Sequence, residues 1–547
     1  MRSSQKNAAD NGDSASFEPP KRSPSTNKIL GHFDIIDDYI SSSPSSRIVV
    51  SDFFKSNKLS TSTINEFFTA SRLGFEMMQP ANIPLKNRSM DNYKKTTGNF
   101  SKSFHDIYKL EKRVKKDLKR ISSYFFKQNK YDLSDHYMYE IEAAICDFYH
   151  FIAPDYAPTA KAIYQKDKDT IKYIGIAVKD FPGFKSTQDD PLTNDDLDFK
   201  VRQLDPLTNK IVEIDVLKYC SVLELEAIDE AAKAEGIVID DKDLDKPIRV
   251  LLKQIPDSDE FQEVTITKKI IRNFRIVKGL AIGLTTSYAF EEDDNHTGNM
   301  SKDGKRIDFD MSLWVICFLF KLTGPVDWAT RDPAGRFPIT SYDIEHFPNL
   351  KDAKPFYWPT ILVGILQNAF FSVASQVFNI SRNAFRQHDI EIYRKLETNP
   401  IFIHYKYATF LKLILTNENH YSNISSMHIR KELPFQSPSI KPTSIIDLLS
   451  KHVGDRLISI KEELKKTPSF KDFMQEHGDK IIGDIEDDYI KYNENYKKKM
   501  DKEPDYETQL IDIKQVFNDY AKLRDELDLP NDPEIQPYIE ATTSLRM

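Results

Sequence analysis

The segment TKKIIRNFRIVKGLAIGLTTSYAF, residues 267–290, repeats apolar side chains at helical spacing for about six turns. It breaks at EEDDNHTGN and is followed by RIDFD, residues 306–310, which reads as a short strand. Asp294 and Asn299 stand five positions apart in the break, and Asp308 follows nine residues later behind a hydrophobic approach. A loop after a long helix, followed by a strand presenting an acid, delivers these oxygen-bearing side chains to one cleft. Phosphoryl transfer from ATP asks the protein for little more: a carboxylate to orient the attacking hydroxyl, and an amide and a carboxylate to hold magnesium. Magnesium takes oxygen ligands and keeps some of its waters, so Asn299 and Asp308 suffice as protein ligands.

At 547 residues the chain is long enough for more than one core. Its 40% hydrophobic and 29% charged content excludes wholesale disorder. Only 17 residues are glycine, which disfavours a machine built on repeated glycine-rich phosphate loops. With 76 basic and 84 acidic side chains the net charge is −8, so no nucleic-acid partner is expected. Cys146, Cys220 and Cys317 form no CxxC pair or disulfide framework, which fits a reducing compartment. Residues 1–45 are polar and Ser/Asn-rich and read as a disordered tail without a signal peptide. MSLWVICFLF (311–320) is too short to span a membrane. ILVGILQNAFFSVASQVF (361–378) carries Gln367, Asn368, Ser372, Ser375 and Gln376, so a buried helix is expected there and no transmembrane segment.

Along the chain, YKLEKRVKKDLKR (108–120) reads as a basic helical stretch and ISSYFFKQN (121–129) as a strand. YMYEIEAAICDFYHFI (137–152) reads as a helix, followed by strands at 159–165 and 171–181. The acidic stretch 186–262 reads as loop-rich with one short helix, and contains DPLTN at 190–194 and again at 205–209. Residues 311–430 look mostly helical. LPFQSPSIKPTS (433–444), with Pro434, Pro438 and Pro442, is the linker candidate, and 445–530 is helical and dense in alternating charge.

Asp294-Asn295-His296-Thr297-Gly298-Asn299 followed by Ile307-Asp308-Phe309 resembles the catalytic loop and metal-binding motif of the phosphoinositide-3/4-kinase side of the kinase superfamily. Two positions depart from the pattern: Asn295 stands where an arginine is usual, and Asp310 where a glycine is. Asp310 either restrains the segment or adds a carboxylate near the metals. The resemblance implies an α+β, atypical bilobal protein-kinase-like fold, with a small β-rich amino-terminal lobe and a large, mostly helical carboxy-terminal lobe. That lobe order asks for a strand with a phosphate-binding lysine, a helix with its glutamate partner, two strands and a hinge. Lys127, Glu142 and the strands to Val178–Phe181 supply it, with Val178 and Phe181 at the nucleotide. Lys179 in GIAVK is the rival lysine, and Glu140 the rival glutamate on another helix face. EIEAAICDFY resembles the corresponding helix of HipA-like bacterial kinases, which favours Glu142. RFPITSYDIEHFPNLKDAKPFYWPT (336–360) and GIAVKDFPGFKS look like segments of Legionella type IV effector kinases.

On that resemblance the domains are the tail 1–45, an amino-terminal lobe with extension at 46–181, a carboxy-terminal lobe at 182–432, the linker 433–444 and a helical domain at 445–547. The expected function is an ATP- and Mg2+- (or Mn2+-) dependent atypical kinase, secreted by a bacterium into the host cytosol. Asp294 orients or deprotonates the acceptor, His296 and Gly298 shape the loop, Asn299 and Asp308 bind metal with Asp310 nearby, and Lys127 with Glu142 holds ATP. A host protein Ser/Thr is favoured over a phosphoinositide as acceptor, because only Lys321, Arg331 and Arg336 lie between Asp310 and Phe347. A non-catalytic kinase-fold scaffold is the reading from another class. The basic run Lys109, Lys112, Arg113, Lys115, Lys116, Lys119 and Arg120 is a site for an activating inositol polyphosphate, or a solvated face. The 445–547 region is either a module that docks on anionic phosphoinositide membranes or a bundle that packs on the kinase lobe. The acidic carboxyl terminus that ends in TTSLRM resembles the glutamate-rich translocation signals of such effectors, or is an exposed acidic tail for solubility.

Overall fold

The computed structural model describes residues 94–95, 105–113, 120–129, 136–167, 170–179, 184–204, 209–239, 243–255, 258–309, 312–313, 337–355, 357–362, 384–429, 442–500 and 510–530. It is a mixed α+β structure and mostly helical. An antiparallel sheet of order β1-β2-β3-β5-β4 comes first, formed by β1 (Lys94–Lys95), β2 (His105–Arg113), β3 (Arg120–Asn129), β4 (Ala160–Asp167) and β5 (Thr170–Lys179). Helix α1 (His136–Ile152) is inserted between β3 and β4 and packs on β4 and β5.

The stretch 108–120, read from sequence as a basic helix, is strand at both described ends, 108–113 and Arg120, while 114–119 lie outside the described residues. Lys109, Lys112 and Arg113 lie in β2, and Arg120 opens β3. The β2–β3 ladder runs from His105↔Asn129 to Arg113↔Arg120. Pairing with a partner as rich in β-formers as ISSYFF outweighs the modest helix preference of Lys, Leu, Glu and Arg.

The acidic stretch 186–262 is also more ordered than its composition suggests. It holds two hairpins, β6 (Lys200–Leu204) with β7 (Ile211–Asp215), and β8 (Pro247–Gln254) with β9 (Phe261–Thr267). Between them lies α2 (Val222–Ala234), opened by a capping box in which the Ser221 hydroxyl accepts from Glu224 N–H and Glu224 accepts from Ser221 N–H. Strands of five to eight residues with charges on the outer face leave too short an alternation to read.

Helix α3 (Lys268–Ala289) is buried on every face over its last two turns, Gly283–Ala289. RIDFD does not continue as the expected strand. Arg306 makes one isolated bridge to Met300, and Asp308 takes φ +66°, which ends any extended run.

The rest is helical: α4 (Ser341–Glu345), α5 (Gln387–Arg394), α6 (Pro400–Ile414), α7 (Glu418–His428), α8 (Pro442–Leu464), α9 (Pro468–Met500) and α10 (Ile513–Glu526). Helix α8 starts at Pro442, so the last three residues of the 433–444 linker candidate are helical, and 433–441 lie outside the described residues. Proline fits the first turn of a helix, where its missing N–H has no partner to lose. Helix α6 packs on α3, α8 and α9, and α7 packs on α1 and α8. Buried side chains from α1, α3 and the helices after Pro442 belong to one hydrophobic core. Among the described residues no helix is long and apolar enough to cross a membrane.

Candidate active site

The loop that follows α3 is tied down on three sides. Tyr357 N–H donates to Asp293 O at 3.0 Å, giving a parallel bridge between Asp294 and Tyr357. From the opposite direction Gln188 N–H donates to Thr297 O at 3.1 Å and Thr187 N–H to Met300 O at 2.7 Å. The return leg closes with Ile307 N–H donating to Asn299 O at 3.0 Å. Neither the 184–190 segment nor Tyr357 carries a sequence signal for this role beyond the aromatic run FYWPT.

Inside that frame the polar side chains converge. Asn299 Nδ2 donates to Asp294 O at 3.2 Å and reaches Asp294 Oδ2 at 3.5 Å. His296 Nδ1 accepts the Gly298 N–H at 2.8 Å, and its Nε2 lies 3.8 Å from Asp294 Oδ2. A Cβ on Gly298 would meet the His296 ring at 2.8 Å, so this turn needs glycine. His296 is further fixed edge-on to Tyr357, with ring centroids 5.5 Å apart. Burial and the Asp294 carboxylate both push the Tyr357 phenol far up, keeping it protonated. Asp308 is partly buried and sits in the left-handed region, a strained conformation for a non-glycine residue that concentrates at functional sites.

Beneath the loop runs a buried polar chain. Arg306, 1% exposed, donates through Nη1 to Asn295 Oδ1, and its Nη2 lies 3.8 Å from Glu292 Oε2. The fully buried Glu292 accepts from Ser312 Oγ and from Asp294 N–H, the latter at 3.0 Å. Ser312 Oγ is 3.3 Å from the Tyr149 hydroxyl of α1. Tyr149 also stacks on Phe309, centroids 4.1 Å apart, so the residue after Asp308 is seated on the helix that carries Glu142. Sequence reading treated Asn295 as a departure and did not use Arg306. The structure brings a guanidinium to Asn295 from the approach to Asp308, and buried charges persist only when paired this way.

The other predicted residues are placed as follows. Lys127 lies in β3 opposite Ile176, in the row that pairs Phe125 with buried Val178. Lys179 stands opposite Tyr124 in the other row and is exposed. Glu140 and Glu142 are both buried, at 0% and 4% exposure, because α1 is enclosed on more than one face. Phe181, Asp310, Lys115, Lys116 and Lys119, the segments 1–93 and 314–336, and the end at 531–547 lie outside the described residues.

The donors offered by Asn299 and Asp308 are oxygens, the chemistry that magnesium selects. Among the described residues no group of three or more His, Cys, Asp or Glu side chains could hold a metal by itself. An ion that also uses phosphate oxygens and waters needs only one or two protein ligands, so the set fits that weaker demand. No protein-family model matches the chain, and no curated protein matches it.

Proposed function

We propose that the chain is an ATP- and magnesium-dependent phosphotransferase with an atypical bilobal kinase-like arrangement, acting on a protein serine or threonine hydroxyl. The observation that carries this reading is the turn in which Asn299 is hydrogen-bonded to Asp294, joined through Ile307 N–H to the strained Asp308. The order of β2, β3, α1, β4 and β5 before that loop supports it, since it sets a lysine strand and a glutamate helix upstream of the acids.

In this reading the Asp294 carboxylate accepts the hydrogen bond of the acceptor hydroxyl, aims its oxygen and takes its proton as the bond to phosphorus forms. Asn299 and His296 hold that carboxylate from two sides. Asn299 Oδ1 and the Asp308 carboxylate hold magnesium, which when bound neutralises charge on the phosphate oxygens. Lys127, positioned by Glu142, contacts the phosphates. The balance of charge along the sequence between Asp310 and Phe347 argues against an inositol headgroup. Asp343 is spent on backbone N–H groups, which leaves Asp327, Asp332 and Glu345 against Lys321, Arg331 and Arg336, no cationic trap.

The test uses the full chain. ATP with magnesium should raise its melting temperature, and labelled γ-phosphate should pass to protein rather than to extracted lipid. Asp308→Ala should cut transfer by about a hundredfold or more, the scale of losing one electrostatic catalytic group. Near wild-type transfer by Asp308→Ala would sink the assignment.

A further inference from the structure

Glu291 is a buried, non-glycine residue at φ +51°, three positions before Asp294. An L-residue pays to sit there and stays only when its surroundings over-determine it. Locally Glu291 is the C′ residue of a Schellman turn, its N–H donating to Tyr288 O at 3.3 Å and Glu292 N–H to Ser287 O at 2.9 Å. A second constraint comes from α8, more than 150 residues away in sequence. His452 Nε2 is 2.9 Å from Glu291 Oε2, and Arg456 Nη1 donates to Glu291 Oε1 at 3.1 Å. The same guanidinium donates to Ala289 O at 2.7 Å, Tyr288 O at 2.8 Å and Phe337 O at 2.7 Å. The first two of these carbonyls lie in the last turn of α3, where Tyr288 O also accepts the Glu291 N–H, so Arg456 adds a cap to that helix from another part of the chain. Burial alone would raise the Glu291 carboxyl pKa, but His452 and Arg456 overcome it and keep the carboxylate ionised.

We propose that Arg456 and His452 are positioning residues that hold Glu291 in its left-handed conformation, and that this sets the direction in which the Asp294 loop leaves α3. The inference rests on the phosphotransferase reading for its consequence in turnover, but the clamp itself has a readout that does not. A helix region separable by sequence is thereby part of the machinery of the loop.

Hydrogen exchange and transfer kinetics on the full chain test both parts. Arg456→Met should speed amide exchange in residues 290–300 by about tenfold or more while 270–282 stays protected. It should also lower kcat by about a hundredfold, the scale of a misplacement near 1 Å, with KM for ATP within about threefold. A second substitution separates backbone from charge. Glu291→Gln in the Arg456→Met background removes the buried carboxylate left with His452 alone and should recover melting temperature without recovering kcat. Glu291→Gly in that background accepts positive φ freely and should restore protection and kcat together. Unchanged exchange at 290–300 in Arg456→Met overturns the clamp, as does recovery by glutamine equal to that by glycine. A wild-type chain that transfers no phosphate while the exchange results hold removes only the phosphotransferase reading.

Discussion

Gly279 and Gly283 lie one turn apart on α3 and press directly against the 301–305 turn. A Cβ built on Gly279 would lie 2.0 Å from Asp303 O and 2.7 Å from Tyr156 Cε1, and one on Gly283 would lie 2.2 Å from Gly304 O. Gly304 itself is at φ +79° and faces the Gly279 carbonyl. Ordinary contact for such atoms begins at 3.4 Å, so Gly279→Ala has to drive helix and turn apart by roughly 1 Å, and the opposing atom is backbone with no rotamer to give way. Overpacking of this kind costs about 1–3 kcal/mol, or more where relief is blocked. The turn is two residues from Asn299 and, on its other side, leads through Arg306 to Asp308, so the displacement is passed to both residues. A shift of about 1 Å there predicts a loss near a hundredfold in phosphate transfer. The assay is denaturant unfolding beside transfer kinetics, with Gly483→Ala as control, because nothing lies within 4 Å of a Cβ at that helical glycine. The control should gain up to about 1 kcal/mol. If Gly279→Ala loses less than about 1 kcal/mol and keeps its turnover, the close approach does not set the site.

Acid should unfold the protein through buried histidines. Burial, aided by the neighbouring His477, holds His404 down to about 4, and burial alone does the same for His420. Between their ordinary value of 6.5 and about 4 the unfolded chain binds protons that the native histidines refuse, so stability falls as pH drops through that window. Each can contribute on the order of 3 kcal/mol, and His404→Phe should flatten the dependence of melting temperature on pH; an unchanged slope refutes it. Asp343 is fully buried and accepts N–H groups from Lys351, Asp352 and Ala353, at 2.7, 3.1 and 2.6 Å. Asp343→Ala should therefore cost about 3 kcal/mol or more by chemical denaturation, and a cost under about 1 kcal/mol would mean the 337–360 segment is held otherwise.

What the sequence shows clearly is what local pattern can carry. The apolar period of 267–290 and of 137–152 marks α3 and α1 to within a residue or two at each end. The spacing of Asp294, Asn299 and Asp308 marks a loop whose first two members meet in space. What it hides depends on partners distant in sequence. Residues 109–113 carry the composition of a helix and become a strand only because β3 lies beside them. Arg306 looks like an ordinary basic residue at a strand start, and its role follows from Asn295, eleven positions back. Asp308 gives no sign of its positive φ, which arises from closing the turn between Asn299 and Phe309. The helices from 445 onward read as a separate unit because a proline-punctuated stretch precedes them and the kinase resemblance stops before them, yet they bury Arg456 and His452 against the end of α3.

The reach of Arg456 back to Tyr288, Ala289 and Glu291 spans 165 to 168 residues, and that distance is also a delay. A ribosome adding about 5–20 residues per second makes α3 and its acidic loop roughly ten to thirty seconds before Arg456 exists. During that interval the Ala289 carbonyl and a carboxylate destined for burial lack the partners that α8 supplies. The nascent chain therefore carries an immature Asp294 loop, and the final α8 contacts come late, in keeping with the slow closure of long-range contacts. Chains cut short before residue 456, by proteolysis or premature termination, would be caught on the wrong side of this step, so synthesis of the distal helices acts as the timer for maturation of the loop.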